Sequence, residues 1–304
     1  MTRVLMPFPA DAALASTMNQ AMQARIAPVA WRHFPDGESL VTLEDSLAGA
    51  DVAILASLRH ADALALPLRF AARTAREFGA RSVGLIAPYL GYMRQDTRFH
   101  HGEAVSTPLF AQFLEEAFDW LVTVDPHLHR VERLQSLYRI PTVHVSATPA
   151  VARWIAETVP DAVLIGPDSE SEQWVADIAA LSGMPYQVLA KERHGDYDVR
   201  VSLPDPAAVA GRTPVLIDDI VSSGHTILET LAHLRRLSLP SPLLVAIHPV
   251  FAGDAYARLQ EAGLARIVST DTISHPSNAI ALGADLAAAA STLMTASTDS
   301  PEDP

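Results

Sequence analysis

Short apolar runs alternate along most of this chain with alanine-rich segments whose apolar residues recur at helical spacing. The runs predict strands, which are 52–58, 82–87, 120–124, 162–165, 214–217 and 243–247. The segments between them predict helices, which are 67–78, 107–118, 149–159, 172–181 and 227–237. Because strands that alternate with helices pair in the parallel direction, the pattern predicts an α/β fold with mainly parallel sheets flanked by helices.

Length and internal similarity predict two domains. A chain of 304 residues exceeds one small domain and fits two of about 150 residues each. The halves are weakly alike, because each has an apolar run followed by a helix and another run followed by an aspartate. We therefore expect an N-terminal domain over 1–145 and a C-terminal domain over 146–296. The remaining residues, 297–304, are Ser, Thr, Asp, Glu and Pro, which predicts a disordered tail.

Composition excludes several classes of function. The formal net charge of −13 disfavours nucleic acids and anionic membranes as partners, because both attract basic surfaces. The chain has no cysteine, which excludes disulfides, thiolate metal sites and cysteine nucleophiles and suits a cytoplasmic protein. We expect no signal peptide, because the N-terminus lacks an apolar core of sufficient length. We expect no membrane span, since the most apolar late stretch, 279–290, is short and is interrupted by Asp285.

The stretch 215–227 has the pattern of a buried strand, a tight loop and the start of a helix. Its apolar run ends in Asp218 and Asp219, and the small residues that follow include Ser222, Ser223, Gly224 and Thr226. A helix start offers unpaired N–H groups and a positive dipole end, which suit a phosphate. The two acids suit sugar hydroxyls or a metal, so the stretch indicates a sugar phosphate site. The alternative is an ordinary strand-to-helix turn with solvated acids.

Asp125 and His127 directly follow the 120–124 run. On an extended backbone, residues i and i+2 point the same way, so we expect the carboxylate and the imidazole to converge. In a chain without thiols this pair suits a hard or borderline cation, and beside a nucleotide that cation would be Mg²⁺ on the phosphates. The alternative interpretation is a proline-containing turn with surface histidines.

Two further stretches carry cations. Arg94, Gln95 and Asp96 follow a predicted strand and two tyrosines; the arginine fork matches phosphate oxygens, and aromatic rings can line a purine pocket. Lys191 and Arg193 stand two residues apart on a polar stretch, where they can reach one anion and stabilise charge in phosphoryl transfer. The alternatives are a glycine-containing surface loop for the first stretch and a solvated charge run for the second.

Two acidic stretches are less distinctive. Phe34, Asp36 and Glu38 belong to a Pro-Asp-Gly segment that is by itself typical of a turn. Asp168 follows the 162–165 run in a polar loop, where a structural role and a ligand-binding role have similar support.

Taken in their order along the chain, these stretches resemble the ribose-phosphate pyrophosphokinase family, also called phosphoribosyl-pyrophosphate synthetases. The resemblance covers nearly the whole chain. The G-Y-x-R-Q-D run at 91–96, the D-x-H pair and the 215–227 loop carry the resemblance. Ser222 stands where many members have a third acid and is similar to the archaeal-type branch, while His225 stands where glycine is common. The resemblance implies two phosphoribosyltransferase-like domains and transfer of the pyrophosphoryl group of ATP to ribose 5-phosphate.

The resemblance also implies a role for each candidate residue. ATP would be bound by Arg94, Gln95 and Asp96, together with Phe34, Asp36 and Glu38 from a neighbouring subunit, which implies a homo-oligomer. Mg²⁺ would be held by Asp125 and His127 and, near the ribose, by Asp168. The catalytic residues would be Lys191 and Arg193. Ribose 5-phosphate would be bound by Asp168, Asp218, Asp219, Ser222, Ser223, Gly224 and Thr226.

Two other functions fit part of the pattern. A phosphoribosyltransferase would need the 215–227 loop but neither an ATP loop nor a second domain, so the 91–96 run and the D-x-H pair disfavour it. A non-catalytic regulatory relative would bind synthetase subunits, and the retained Lys191 and Arg193 favour activity over that role.

Overall fold

The computed structural model describes residues 2–43, 46–128, 133–189, 191–193, 199–201, 209–235 and 239–296. The strands are β1 (Arg3–Pro7), β2 (Arg25–Ile26), β3 (Ala30–His33), β4 (Ser39–Thr42), β5 (Asp51–Leu55), β6 (Ser82–Ala87), β7 (Leu121–Val124), β8 (Thr142–Val145), β9 (Ala162–Gly166), β10 (Tyr186–Val188), β11 (Lys191–Arg193), β12 (Val199–Val201), β13 (Thr213–Ile220), β14 (Leu243–His248), β15 (Arg266–Thr270) and β16 (Asn278–Ile280). The α-helices are α1 (Ala12–Met22), α2 (Ala61–Glu77), α3 (Ser106–Glu115), α4 (Thr148–Thr158), α5 (Glu172–Ser182), α6 (His225–Leu234), α7 (Ala255–Glu261) and α8 (Gly283–Ala296). The predicted tail at 297–304 lies outside the described residues.

The chain divides into two compact units. Unit 1 comprises residues 1–145, 272–274 and 282 onward, and unit 2 comprises 146–271 and 275–281. The sequence analysis expected everything from 146 to 296 in one domain, and the structure differs at the last helix.

The helix α8 belongs to unit 1 because it packs on α1. The approach is close at Gly283, where a Cβ would lie 2.3 Å from Thr17 Oγ1. Leu286, Ala287 and Ala290 are fully buried on α8. The apolar face of this alanine-rich helix therefore completes the core of unit 1, although the helix lies at the far end of the sequence.

Unit 1 is built on a six-stranded parallel sheet in the order β2-β1-β5-β6-β7-β8. The central strands β5 and β6 are buried along their whole length, as expected for parallel strands covered on both faces. Trp120 is buried over Gly84 of β6, where a Cβ would lie 1.9 Å from the indole ring. Only glycine fits beneath this tryptophan, so the pair fixes the packing at the centre of the sheet.

Unit 2 repeats this architecture with the parallel order β10-β9-β13-β14-β15-β16. Counted within each unit, and leaving hairpins aside, both sheets have the strand order 2-1-3-4-5-6. Both units also carry an antiparallel hairpin before the third strand of the sheet: β3 with β4 in unit 1, and β11 with β12 in unit 2. The predicted α/β fold with mainly parallel sheets is confirmed.

The predicted elements are present with shifted ends. β13 continues beyond the predicted end at 217, because Asp218 and Ile220 remain paired with β14. α2 begins at Ala61, so Pro67 lies inside the helix rather than at its start. None of the helices in the described part of the chain has the length and apolar character needed to cross a bilayer.

Candidate functional site

The loop that follows β13 lies at the carboxyl edge of the unit 2 sheet. It runs from Val221 to Gly224, and α6 begins at His225. Gly224 has a φ of +72°, a left-handed conformation that glycine adopts without steric cost. A Cβ at this position would also lie 3.1 Å from Leu259. Glycine therefore permits the tight turn by which the helix follows the strand.

This loop leaves backbone donors open. The first turn of α6, which includes Thr226, has no side-chain cap. The N–H groups of Ser222, Ser223 and Gly224 have no acceptor among the residues that the structure describes. The Ser223 side chain is exposed, and Ser222 and Thr226 are half-buried. Open N–H groups at the positive end of a helix dipole attract an anion such as a phosphate.

Asp218 and Asp219 are half-buried and lie inside β13 rather than beyond it. Pairing with β14 holds the backbone of Asp218 in the sheet, and Asp219 Oδ1 accepts the N–H of Ile220 at 2.8 Å. The sequence analysis ended the strand before both acids, and the continued pairing corrects that boundary. The two carboxylates stand on a rigid strand directly before the 221–224 loop.

Asp168 lies in the loop after β9, which is the neighbour of β13 in the sheet. Its Oδ1 accepts the Ser171 N–H at 3.3 Å, and its carbonyl oxygen accepts the Ser171 hydroxyl at 2.6 Å. Gly166 leaves room for this turn, since a Cβ there would lie 2.5 Å from Ser171 Oγ. The two neighbouring strands bring the Asp168 loop and the 221–224 loop to one edge of the sheet, where ligands of parallel sheets bind.

Arg94, Gln95 and Asp96 lie in the loop after β6, at the carboxyl edge of the unit 1 sheet. The Gln95 carbonyl accepts the Thr107 N–H at 3.3 Å, and Gln95 Oε1 accepts the Ser106 hydroxyl at 3.3 Å. Arg94 is exposed, and Asp96 is half-buried. Gln95 therefore anchors the loop to α3 and leaves the Arg94 side chain in solvent.

The tip of the same loop is closed by its own side chains. Glu103 accepts the N–H groups of Phe99 and His100 at 3.2 and 3.0 Å, and its Oε1 lies 2.7 Å from His100 Nδ1. Arg98 Nε donates to the Glu103 carbonyl at 2.8 Å. The side-chain hydrogen bond with His100 is the main cause that lowers the pKa of Glu103. Arg98 and His100 thus stabilise the loop itself.

Asp125 follows β7, which is the neighbour of β6, so it lies at the same edge of the sheet as the Arg94 loop. It is fully buried and has a φ of +30°. Its Oδ1 lies 2.6 Å from His144 Nε2 on the neighbouring strand β8. The extended backbone that the sequence analysis assumed at Asp125 is wrong, because the chain turns as it leaves the sheet. Strand alternation therefore does not aim Asp125 and His127 at one point.

His144 is a candidate that the sequence analysis missed. The His144 side chain is 40% exposed while that of Asp125 is fully buried, so the imidazole connects a buried carboxylate with the surface. The only signal in the sequence is a histidine within an apolar run. The partner is set by the pairing of β7 with β8, which joins residues far apart in the chain.

Among the described residues, no group of three or more His, Cys, Asp or Glu side chains could hold a metal ion by itself. Asp125 and His127 therefore offer at most part of a coordination shell. Mg²⁺ is often held by one or two carboxylates while phosphate oxygens and waters complete its octahedron. The Asp125 carboxylate and the His127 imidazole therefore suit a cation whose other ligands are the phosphate oxygens of a nucleotide.

Phe34, Asp36 and Glu38 form the tip of the unit 1 hairpin between β3 and β4. The Phe34 N–H donates to the Glu38 carbonyl at 2.8 Å, and the Glu38 N–H donates to Asp36 Oδ1 at 3.2 Å. Gly37 has a φ of +93°, which the turn requires. The Phe34 ring is 40% exposed, with the Arg32 guanidinium 4.9 Å from its centroid. The predicted turn is present, and its tip extends an aromatic ring and two acids into solvent.

Lys191 and Arg193 lie on β11 of the unit 2 hairpin. Lys191 pairs with Val201 and Arg193 pairs with Val199 in an antiparallel ladder. Both residues therefore have an extended backbone. The 194–198 segment between the two strands lies outside the described residues.

Known protein families match both units of the chain. The family model of the N-terminal domain of ribose phosphate pyrophosphokinase matches residues 4–117, and the phosphoribosyl transferase domain model matches residues 145–283. A ribose-phosphate pyrophosphokinase of Methanopyrus kandleri is 32% identical over 92% of this chain and 96% of its own length. A ribose-phosphate pyrophosphokinase of Halobacterium salinarum is 33% identical over 86% of this chain and 90% of its own length.

The fold is also that of a solved structure. The crystal structure of phosphoribosylpyrophosphate synthetase from Mycobacterium smegmatis superposes with a TM-score of 0.82. The alignment covers 99% of this chain and 100% of that chain at 24% sequence identity. At this identity the likeness establishes the shared fold, and the matches above establish kinship.

Proposed function

Because the chain belongs to the ribose-phosphate pyrophosphokinase family, we propose that it transfers the pyrophosphoryl group of ATP to O1 of ribose 5-phosphate. The products are AMP and 5-phosphoribosyl 1-pyrophosphate. The observation that carries this proposal beyond kinship is the loop after β13, where open N–H groups follow two carboxylates. A phosphate and the hydroxyls of a pentose need this combination of donors and acceptors.

The ribose 5-phosphate site is assigned to unit 2. The phosphate binds the 221–224 loop and the start of α6, through the backbone N–H groups and the hydroxyls of Ser222, Ser223 and Thr226. Asp218 and Asp219 accept hydrogen bonds from the ribose hydroxyls. Asp168, on the neighbouring loop, serves the ribose or its metal.

The ATP site is assigned to the carboxyl edge of unit 1. The exposed Arg94 binds phosphate oxygens, and Gln95 and Asp96 complete the loop. Asp125 and His127 hold Mg²⁺ on the nucleotide phosphates, with His144 orienting the Asp125 carboxylate. When bound, Mg²⁺ neutralises phosphate charge and orients the chain of phosphates.

The hairpins of both units are assigned to the same reaction. Lys191 and Arg193 on the unit 2 hairpin stabilise the negative charge that develops on the transferring phosphates. The exposed tip with Phe34, Asp36 and Glu38 reaches the ATP site of a second copy, so the active protein is a homo-oligomer. An exposed aromatic ring at a hairpin tip fits such a contact, because it would become buried in the assembly.

The chemical step is an in-line displacement at the β-phosphorus. The O1 hydroxyl of ribose 5-phosphate loses its proton to solvent and forms a bond to the β-phosphorus. The bond from that phosphorus to the oxygen bridging the α- and β-phosphates breaks, and AMP leaves with that oxygen. Holding both substrates in line supplies much of the rate, because it removes the entropy cost of their encounter. The charged side chains add electrostatic stabilisation of the transition state.

AMP formation tests the proposal. The purified chain is incubated with Mg²⁺, ATP and ribose 5-phosphate, with other sugar phosphates and nucleotides in parallel. We expect AMP only when both ATP and ribose 5-phosphate are present. No AMP with any sugar would favour a non-catalytic relative, and AMP with a different sugar phosphate alone would show that the assigned substrate is wrong.

A further inference from the structure

Three of the four carbonyl groups of the 221–224 loop, those of residues 221–223, are held by one segment of unit 2. The N–H groups of Phe251 and Ala252 donate to the carbonyls of Val221 and Ser222 at 2.8 and 3.0 Å. The Arg258 guanidinium, through Nη2, donates to the Ser223 carbonyl at 3.1 Å. We call residues 248–258 the supporting segment; it joins β14 to α7.

Holding the carbonyls fixes the direction of the donors. The described part of unit 2 has no cis peptide bonds, and in a trans peptide the C=O of one residue and the N–H of the next point in opposite directions. If the carbonyls of 221, 222 and 223 point at the supporting segment, the N–H groups of Ser222, Ser223 and Gly224 point away from it. These are the N–H groups that have no acceptor in the described part of unit 2.

The supporting segment is itself held in place. Phe251 is buried and has a φ of +36°, a strained conformation for a residue with a side chain. Its ring centroid lies 5.1 Å from that of Tyr256 and 4.7 Å from that of His275. This aromatic packing keeps the Phe251 and Ala252 N–H groups facing the loop.

Arg258 is the part of the support that comes from a side chain. Its Nε lies 3.0 Å from Asp254 Oδ1 one helical turn earlier, so the ion pair orients the guanidinium. The next residue, Leu259, packs against Gly224, where a Cβ would lie 3.1 Å away. The first turn of α7 thus contacts the end of the loop by a hydrogen bond and by apolar packing.

We propose that Arg258 is a positioning residue for ribose 5-phosphate: it holds the Ser223 carbonyl so that the Gly224 N–H faces the phosphate. The inference rests on the proposed function, since it takes the 221–224 loop as the phosphate site. Arg258 acts through the backbone and not by touching the sugar phosphate. Because the Arg258 side chain is exposed, solvent weakens this hydrogen bond to about the strength of an uncharged one, which is about a fivefold to tenfold effect on an equilibrium.

The test compares Arg258→Met, which keeps the aliphatic length, with Arg258→Lys, which keeps the charge. The matched control is Arg153→Ala, an exposed arginine on α4 of the same unit. We expect Arg258→Met to raise the KM for ribose 5-phosphate about fivefold to tenfold, with the KM for ATP and the melting temperature unchanged. Arg258→Lys recovers part of the loss, and the control equals the parent protein.

Asp254→Ala separates positioning from direct attraction of the phosphate. If Arg258 positions the loop, loss of its orienting partner raises the KM for ribose 5-phosphate about twofold. If Arg258 attracts the phosphate directly, removing the nearby negative charge lowers that KM, which would overturn the inference. An unchanged KM in Arg258→Met would overturn it as well.

Calorimetric titration with ribose 5-phosphate gives the same comparison without turnover. Weaker binding to Arg258→Met than to the parent protein supports the inference even in a preparation that forms no AMP. If the parent protein binds ribose 5-phosphate but forms no AMP, the proposed reaction is refuted and the positioning role of Arg258 is not. Parent protein that forms AMP, with Arg258→Met binding equally well, refutes the positioning role alone.

Discussion

The loops that follow the third strand of each sheet occupy the same place in the fold but use their backbone groups in opposite ways. In unit 1 this loop begins after β5, and the N–H groups of its first three residues donate to acceptors within the protein. The N–H groups of Ala56 and Leu58 donate to backbone carbonyls at 3.0 and 2.8 Å, and that of Ser57 donates to the buried Asp11 carboxylate at 3.1 Å. A protein carboxylate therefore takes a donor that an anionic ligand would need.

In unit 2 the corresponding loop is held through its carbonyls, and the N–H groups of Ser222, Ser223 and Gly224 have no acceptor within the described residues. The strands before the loops differ too, since β13 includes Asp218 and Asp219 whereas β5 ends in an apolar Ile-Leu pair. The fold supplies a loop at the same edge twice. The hydrogen bonding around that loop differs between the copies, and the open N–H groups of the unit 2 copy are the reason why we propose the phosphate site there.

Variants in the two hairpins that precede the third strands are expected to give the largest effects, and they test whether the two units have different roles. Lys191→Ala, in the unit 2 hairpin, is expected to lower kcat by about 10²–10³-fold, because a cation that stabilises transition-state charge is lost. Phe34→Ala, in the unit 1 hairpin, is expected to raise the KM for ATP. Steady-state kinetics with each substrate varied separates the two effects, and an equal fall in kcat for both variants would end the comparison.

A variant at His144 tests whether the carboxyl edge of the unit 1 sheet binds only the nucleotide. His144→Ala removes the imidazole partner of the buried Asp125 carboxylate, and loss of a residue that orients a metal ligand typically costs about 10–100-fold. We expect the KM for Mg·ATP to rise by about tenfold, with the KM for ribose 5-phosphate unchanged. His144→Gln, which can still donate a hydrogen bond, serves as the control. A rise in both KM values would mean that the edge of unit 1 serves both substrates.

Substitution of one glycine in each unit is expected to give smaller effects that again separate the two substrates. Gly224→Ala introduces a side chain at φ +72° against Leu259, which strains the 221–224 loop by about 1–2 kcal/mol. Gly91→Ala places a Cβ 2.9 Å from the Leu58 carbonyl, at the start of the loop that contains Arg94. We expect the first variant to raise only the KM for ribose 5-phosphate and the second only that for ATP. The opposite pattern in substrate titrations would exchange the assignments.

Asp11 gives the smallest expected effect on turnover and a measurable one on stability. Burial raises the pKa of Asp11 from 3.8 to about 6, partly offset by the hydrogen bond from the Ser57 N–H. Since the folded state binds the proton more tightly, this contribution to stability is present below about pH 4 and is lost as the pH rises through 6. Asp11→Asn removes that slope, which denaturant unfolding between pH 4 and pH 7 measures. A parallel fall of stability in both proteins would assign the slope to another group.

Much of the fold could be read from local sequence. Parallel strands covered on both faces must be apolar, so β6 and β9 were located at their starts, and the helices between strands have the expected spacing. The Pro-Asp-Gly turn and the tight loop that contains Gly224 are also predicted by local signals, because turn geometry depends on a few neighbouring residues. The extension of β13 was not, since it depends on pairing with β14.

Sequence alone thus determined the alternation of strands and helices, the loops that can turn tightly, and the family resemblance of the candidate residues. Tertiary structure decided the pairing of Asp125 with His144, the capture of the Ser57 N–H by Asp11, and the support of the Ser223 carbonyl by Arg258. The physical reason is range. Local conformation follows from the spacing of neighbouring residues, whereas a hydrogen bond between residues remote in the chain exists only once the order of the strands has brought them together.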